Sequence, residues 1–455
     1  MRKLSLISIV LLIVSIPTFA GGLLTNTNQH ASFLRMIARG ASIDIDGVYS
    51  NPAGLAFLPS DGFYLSLTGQ SAYQTRVIDA TYPLFPEGTR QYKGTASAPF
   101  IPSFQAAYKK GDWTISASFA VTGGGGKASF GTGLPMFDAV VMAGLHSNLE
   151  PALPLLGVNA ASDLYNINSA MDGKQYIFGA QLGLTYKIND YLAVFAGGRM
   201  NYVSSGYEGF LDATLKDQYA AFVPVLGLSS TTLKSIKLDC DQSGWGITPI
   251  LGADVKLGKW NLGLKYEFLT NLNIENKTKE NTEANGALAD YKDGVNTPND
   301  IPALLSVALG YEILPALRAS VEYHRFFDEQ AGMANIPGTT IGKQTALTHG
   351  TNEYLVGVEW DVVKRLTISG GYQKTDYGLS DNFQSDTSFS CDSYSLGFGA
   401  AVKLTEKLKL NVAYFWTTYS DYTKVSDNYN GTGLKGTDVY SRTNKVFGLS
   451  LDYKF

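Results

Sequence analysis

A period-two alternation of apolar and polar residues, recurring to the last residue, most constrains this chain. In the final stretch Phe447, Leu449, Leu451, Tyr453 and Phe455 fall on one parity, and Gly448, Ser450, Asp452 and Lys454 on the other. Side chains alternate faces along a strand, so the segment has one apolar and one polar face. The pattern recurs in Trp113–Val121, Tyr176–Tyr186, Trp260–Phe268, Leu317–Tyr323, Tyr354–Trp360 and Leu408–Trp416. It predicts strands over 62–80, 98–109, 112–127, 174–187, 190–212, 243–256, 259–276, 301–312, 315–328, 352–363, 366–378, 391–403, 406–422 and 443–455, about fourteen in all. One such strand would suit a soluble sheet. An even-numbered series ending in an aromatic residue points to an all-β transmembrane antiparallel barrel over 62–455.

The connections point the same way. Tight links at KKGDW, KINDY, KLGKW, EILPAL, DVVKRL and KLTEKL alternate with long ones near 81–97, 128–173, 213–242, 277–300, 329–351, 379–390 and 423–442. Outer-membrane barrels sort short turns to the periplasm and long loops to the outside. A soluble sandwich has no reason to do so. The loop over 128–173 is unusually apolar, and helical spacing of Met136, Val140, Val141 and Leu145 predicts an amphipathic surface piece that packs on its neighbours and touches ligand.

The chain opens with Arg2 and Lys3, an apolar run over Leu4–Ile16, and small residues at Thr18 and Ala20. This predicts a signal peptide over 1–20, cleaved before Gly21. No stretch reaches the ~20 apolar residues of a spanning helix. The 48 Gly, 27 Tyr and 23 Phe suit short strands with aromatic girdles. A net charge of −4 gives no hint of a nucleic-acid partner. An oxidising compartment permits a disulfide between Cys240 and Cys391. Neither has a neighbouring His or Cys, so no metal site and no cofactor are expected.

Residues 21–61 precede the first strand and are too polar and Gly-rich for a membrane strand pair, yet they carry Leu34, Met36, Ile37, Val48, Leu55 and Phe57. Such a segment either trails in the periplasm or folds into the lumen. Proline at 52 pushes Asn51 toward extended geometry, the Asn51 amide both donates and accepts, and Gly54 allows close backbone packing. That chemistry serves an ordinary turn into the first strand, or one that ties a plug to the wall.

The run ARGASIDIDGVYSNPAGLAFL, with Asn51-Pro52-Ala53-Gly54 just before the barrel, resembles the hatch of the FadL/TodX family of outer-membrane transporters. The outer loops carry no motif of that family. The resemblance implies a monomeric barrel in outer-membrane lipid that takes up long-chain fatty acids or other hydrophobic small molecules passively. Loops would capture ligand and the hatch would gate it. A kink in the third strand would let it leave sideways, and Gly123, Gly124, Gly125 and Gly126 lie there. Those glycines would equally begin the following loop. Arg199, Lys265, Arg318 and His324 have lumen parity and are candidate partners for a ligand carboxylate, or structural charges paired with Glu267, Glu322 and Glu359. Rival readings are a general diffusion porin, an uptake channel for aromatic hydrocarbons, a loop-presenting adhesin and an outer-membrane hydrolase. The last lacks a Gly-x-Ser-x-Gly elbow beside any of the four His, so no enzyme is expected.

Overall fold

The computed structural model describes residues 23, 25–150, 153–228, 230–233, 235–283, 288–336 and 339–455. The expected signal peptide over 1–20 lies outside the described residues. The strands are β1 Gly62–Thr81, β2 Thr89–Lys110, β3 Trp113–Phe130, β4 Tyr165–Lys187, β5 Leu192–Leu215, β6 Ile236–Leu257, β7 Trp260–Glu267, β8 Asn273–Asn281 and β9 Asn296–Pro298. They continue with β10 Leu304–Leu314, β11 Leu317–Phe326, β12 Asn352–Val363, β13 Leu366–Asp376, β14 Ser393–Lys403, β15 Leu408–Tyr419, β16 Tyr422–Ser426 and β17 Gly436–Lys454.

Three wall strands are interrupted, which reconciles these segments with fourteen staves. β7 and β8 both pair β6, β10 and β9 continue this as the next stave, and β15 and β16 both pair β17. Each stave pairs antiparallel with its neighbour, and β1 pairs both β2 and β17, so the sheet closes. Closure leaves no edge, as a bilayer demands.

The wall is taller on one side. β10 to β14 have 10 to 12 residues, close to the span of a bilayer, while β1 to β6 have 18 to 24. The sequence reading starts β2, β4, β6 and the last strand too late because their outer ends carry polar residues on the exposed face, as in Thr89, Gln91, Lys93 and Thr95. The bilayer face is apolar: Leu67, Ile115, Leu182, Ile247, Val321, Phe398 and Leu451 point outward. At the tight-turn end Trp113 meets Tyr186, Trp260 meets Tyr311 and Phe63 meets Phe455, with centroids 4.4, 4.2 and 5.3 Å apart. Cross-strand aromatic pairs of this kind build the interfacial girdle.

The long loops close the mouth. Helix α3, Pro135–Leu149, is expected as an amphipathic surface piece but is mostly buried: Met136, Phe137, Val141, Met142 and Leu145 join Tyr82, Phe85, Tyr92 and Tyr440 in one apolar cluster. Between β13 and β14 the chain turns inward, and Phe383, Gln384 and residues 386–391 are all buried. The disulfide between Cys240 and Cys391 does not form. Both thiols are free and buried, Cys240 accepting from Thr278 Oγ1 at 3.4 Å and Cys391 donating to Tyr440 O at 3.5 Å. They stand on β6 and before β14, which do not pair.

Candidate functional site

The polypeptide ahead of β1 lies inside the barrel. Helix α1, Ala31–Arg35, is capped by His30, whose Nδ1 accepts from Ser32 N at 3.0 Å. Helix α2, Gly47–Ser50, runs into a 3₁₀ turn, Pro52–Phe57, started by Asn51 with Pro52 at its first position. Asn51 ties turn to wall. Its Oδ1 accepts from Gly54 N at 3.2 Å, while its Nδ2 donates to Asp254 Oδ2 at 2.6 Å and Ser42 O at 3.3 Å. A Cβ at Gly54 would collide with the Asn51 amide, which explains the glycine. Ala53 packs between Phe195 and Ile250.

Buried charges fasten the rest of this segment, the hatch. Arg39 holds Asp46 through two bonds of 2.7 and 2.8 Å and reaches Glu359 at 3.3 Å. Arg35 donates to Glu359 at 2.6 Å and Asn411 at 3.1 Å. Burial would raise the Asp46 carboxyl, but the Arg39 guanidinium outweighs it and holds the group below the usual carboxylate range. Lys409 bridges hatch Asp44 to wall Asp452, which also meets His30 at 3.2 Å. Below, a cavity of about 320 Å³ at the tight-turn end is lined by Arg39, Asp44, Trp260, Tyr311, Arg318 and Glu359.

A row of glycines, absent from the sequence reading, seats the hatch backbone. Gly357, Gly371 and Gly397 are direct neighbours across β12, β13 and β14, and Gly263, Gly310 and Gly448 extend the row. A Cβ at Gly371 would come within 2.6 Å of Ile37 N, and one at Gly357 within 2.7 Å of Met36 Cγ. At Gly263 and Gly397 it would strike the Gly40 and Leu34 carbonyls outright. The readable signal was mid-strand glycine on the lumen parity, where sheets ordinarily avoid it unless another backbone comes close.

The four cations marked as ligand partners are all engaged with the wall or hatch. Arg199 pairs Glu267 at 2.6 and 3.1 Å and lies 5.0 Å from the Tyr49 ring centroid. Lys265 binds Glu267 at 2.8 Å and Tyr49 O at 2.9 Å. Glu322 accepts from His324 at 2.6 Å and from the backbone of hatch Gly40 at 2.8 Å, and His324 also meets Glu353 at 2.9 Å. Arg318 grips Asp361 at 2.7 and 3.1 Å, with Glu359 at 3.5 Å, on the wall of the lower cavity. Lys265 and Arg199 reach hatch Tyr49, whereas these bonds of Arg318 and His324 are to wall carboxylates.

Gly123–Gly126 sit where β3 departs from its neighbours. Its register against β4 shifts between Val121 and Gly123 and again between Gly124 and Gly126. Against β2, pairing stops at Ser97–Lys127 and resumes only at Phe104–Phe119. Pro99 and Pro102, which lack N–H donors, occupy the unpaired part of β2. The hatch fills this gap. Asn26 N donates to Thr122 O and Asn26 Nδ2 to Gly124 O, both at 2.8 Å; Ser103 Oγ bonds Gln29 O and Gln70 Nε2 bonds Asn28 O at 2.6 Å. Only about 10 Å³ remains between Asn26, Gln29, Gln70, Pro102 and Val121. Gly124 has φ +63°, and a Cβ there would strike Gln175 O. Gly124→Val is therefore expected to destabilise the barrel by roughly 1–3 kcal/mol, read as a lower urea midpoint in detergent.

No family model and no curated protein matches the sequence. Solved structures do. A FadL homologue from Pseudomonas aeruginosa superposes with a TM-score of 0.64 at 16% identity, over 96% of this chain and 100% of that one. The P. putida toluene transporter TodX gives 0.54 at 15%, over 90% and 94%. The Ralstonia pickettii toluene transporter TbuX gives 0.53 at 15%, over 95% and 97%. With its closed fourteen-stave wall and apolar exterior, this chain is an outer-membrane β-barrel that has the fold of the FadL/TodX transporters.

Proposed function

We propose that the protein carries hydrophobic small molecules, long-chain fatty acids foremost, passively through the outer membrane. Ligand enters at the apolar loop cluster, passes the hatch, and leaves sideways between β2 and β3. The observation that carries this reading is the wall gap filled by Asn26–Gln29: a side port stoppered by a short polar segment of the chain itself. An apolar solute that exits there enters lipid without crossing water. The filled lumen argues against a general diffusion porin. The likeness to toluene transporters supports aromatic hydrocarbons as a second ligand class.

Asn51→Ala tests the gate. It removes the amide that links the 3₁₀ turn to Asp254 and leaves a buried carboxylate with one fewer donor, a loss of about 1–3 kcal/mol. Purified protein should bind labelled palmitate, and the variant several-fold more weakly. Deleting residues 25–29 should raise palmitate flux into liposomes carrying the barrel. Absence of palmitate and toluene binding, with free passage of small polar solutes, would sink this reading.

A further inference from the structure

Two oxygens of the lower cavity lack the donors that burial demands. Asn261, 9% exposed, donates through Nδ2 to Ala41 O at 3.0 Å and Asp254 Oδ2 at 2.9 Å. Those bonds fix the amide and leave Oδ1 with no donor among the described residues. Ser320, 4% exposed, makes no hydrogen bond through Oγ among them. Both residues line the cavity of about 320 Å³, and both are direct cross-strand neighbours of Gly310, so they open on one short stretch of wall. A buried oxygen without a donor is costly unless something in the cavity supplies one.

The lip of this cavity is basic. Lys256 and Lys259, exposed at the β6–β7 turn, line it and have no carboxylate within ion-pair distance among the described residues. Asp254, two residues before Lys256, is turned to Asn51 and Asn261. Arg39 is engaged with Asp46 and Glu359, Arg318 with Asp361 and Glu359, and Asp44 with Lys409. Glu312, partly buried, is the remaining acid of the lining. Two unspent ammoniums against one unspent carboxylate suit a singly charged anion. A bare anion would leave Asn261 and Ser320 unserved. A phosphodiester that carries hydroxyls answers both needs, accepting from the lysines and donating to the two oxygens. The bilayer lies just outside: Trp260 and Tyr311, ring centroids 4.2 Å apart, share this part of the wall, and Leu257 beside them points outward.

We propose that the lower cavity binds a glycerol phosphodiester, as carried by an anionic phospholipid of the periplasmic leaflet. The phosphate meets Lys256 and Lys259, the glycerol hydroxyls meet Asn261 Oδ1 and Ser320 Oγ, and the acyl chains lie outside on Leu257 and Trp260. Basic pockets at a membrane boundary recognise lipid heads in this way. A bound head would also tie hatch Ser42 and Asp44, which line the same cavity, to the β6–β7 turn. The site does not depend on what crosses the barrel.

The test is native mass spectrometry of the full-length protein in detergent with dioleoyl phosphatidylglycerol and dioleoyl phosphatidylmethanol, which share the charge and differ in the hydroxyls. Wild type should bind phosphatidylglycerol roughly fivefold more tightly. Ser320→Ala should narrow that ratio without weakening phosphatidylmethanol, and Lys256→Gln with Lys259→Gln should weaken both lipids about threefold or more. Free glycerophosphoglycerol serves as competitor. Displacement of the lipid at equal concentration supports the site and makes a soluble diester its source, and failure to displace supports the lipid. Equal affinity of wild type for the two lipids overturns the proposal, as does binding of neither lipid nor free diester, which leaves water alone in the cavity. A phosphatidylglycerol preference untouched by all three substitutions also overturns it, since the lipid then sits elsewhere on the barrel. The wild-type ratio needs no variant, so a misfolded substitution cannot blunt the result.

Discussion

Gly263→Val is expected to unseat the hatch while leaving the barrel closed. A Cβ at this position runs into the Gly40 carbonyl, which is main chain and has no rotamer to offer. Gly40 cannot retreat cheaply either, because its N–H is held by Glu322 Oε2 at 2.8 Å. Overpacking of this kind costs about 1–3 kcal/mol where side chains can adjust, and more against backbone. The strand itself should tolerate valine, a favourable strand residue. Trypsin reports the outcome. Arg35 and Arg39 are buried in the native protein, and their peptide bonds should become cleavable in the variant while the wall survives. Ion conductance in planar bilayers should rise in parallel. Gly370→Val is the control, since a Cβ there meets only Gly397 O at 3.6 Å. Protection of Arg35 and Arg39 in Gly263→Val would mean that the glycine row does not seat the hatch.

The second large effect is expected from Glu359→Ala. Glu359 receives Arg35 at 2.6 Å, Arg39 at 3.3 Å and Arg318 at 3.5 Å, and among the described residues is the one wall carboxylate shared by both hatch arginines. Removing it leaves buried guanidiniums facing one another, and breaking a buried pair from one side costs about 3–5 kcal/mol. Arg39 keeps Asp46, so the hatch should lose its hold on β12 without losing its internal fold. The expected result is a hatch released at lower urea than the barrel, seen as trypsin cleavage preceding loss of tryptophan fluorescence. Glu359→Gln should fall between, because an amide still accepts from Arg35. Simultaneous unfolding of hatch and barrel in Glu359→Ala would show that the two form one cooperative unit.

How far such features could be read in advance differs by physical cause. The staves were legible because the bilayer imposes one rule on every outward residue, and Leu262, Leu264 and Tyr266 obey it whatever their neighbours do. Their outer ends were not, since above the lipid that rule lapses. The β2–β3 gap left a mark in Pro99 and Pro102, two prolines inside one strand, which a donor count along β2 would have flagged. The glycine row was visible only as glycine on the lumen parity, and its partners lie more than two hundred residues away in sequence. Nothing in FQSDTSFSC distinguishes a loop that turns into the mouth from one that extends outward. Asn51 was legible as a turn former, but its bond to Asp254 is a tertiary fact.

The stopper between β2 and β3 also fixes how the wall behaves once disturbed. Thr122 and Gly124 offer their carbonyls to Asn26 rather than to a neighbouring strand. A hydrocarbon tail lying in the seam can fill the space but can donate nothing, and a carbonyl stranded in an apolar setting costs several kcal/mol. An open seam would therefore be worse satisfied, and higher in energy, than the closed one. If ligand leaves by this route, as proposed above, the Asn26 amides would draw the stopper back into the seam and reseal the wall with no external energy source.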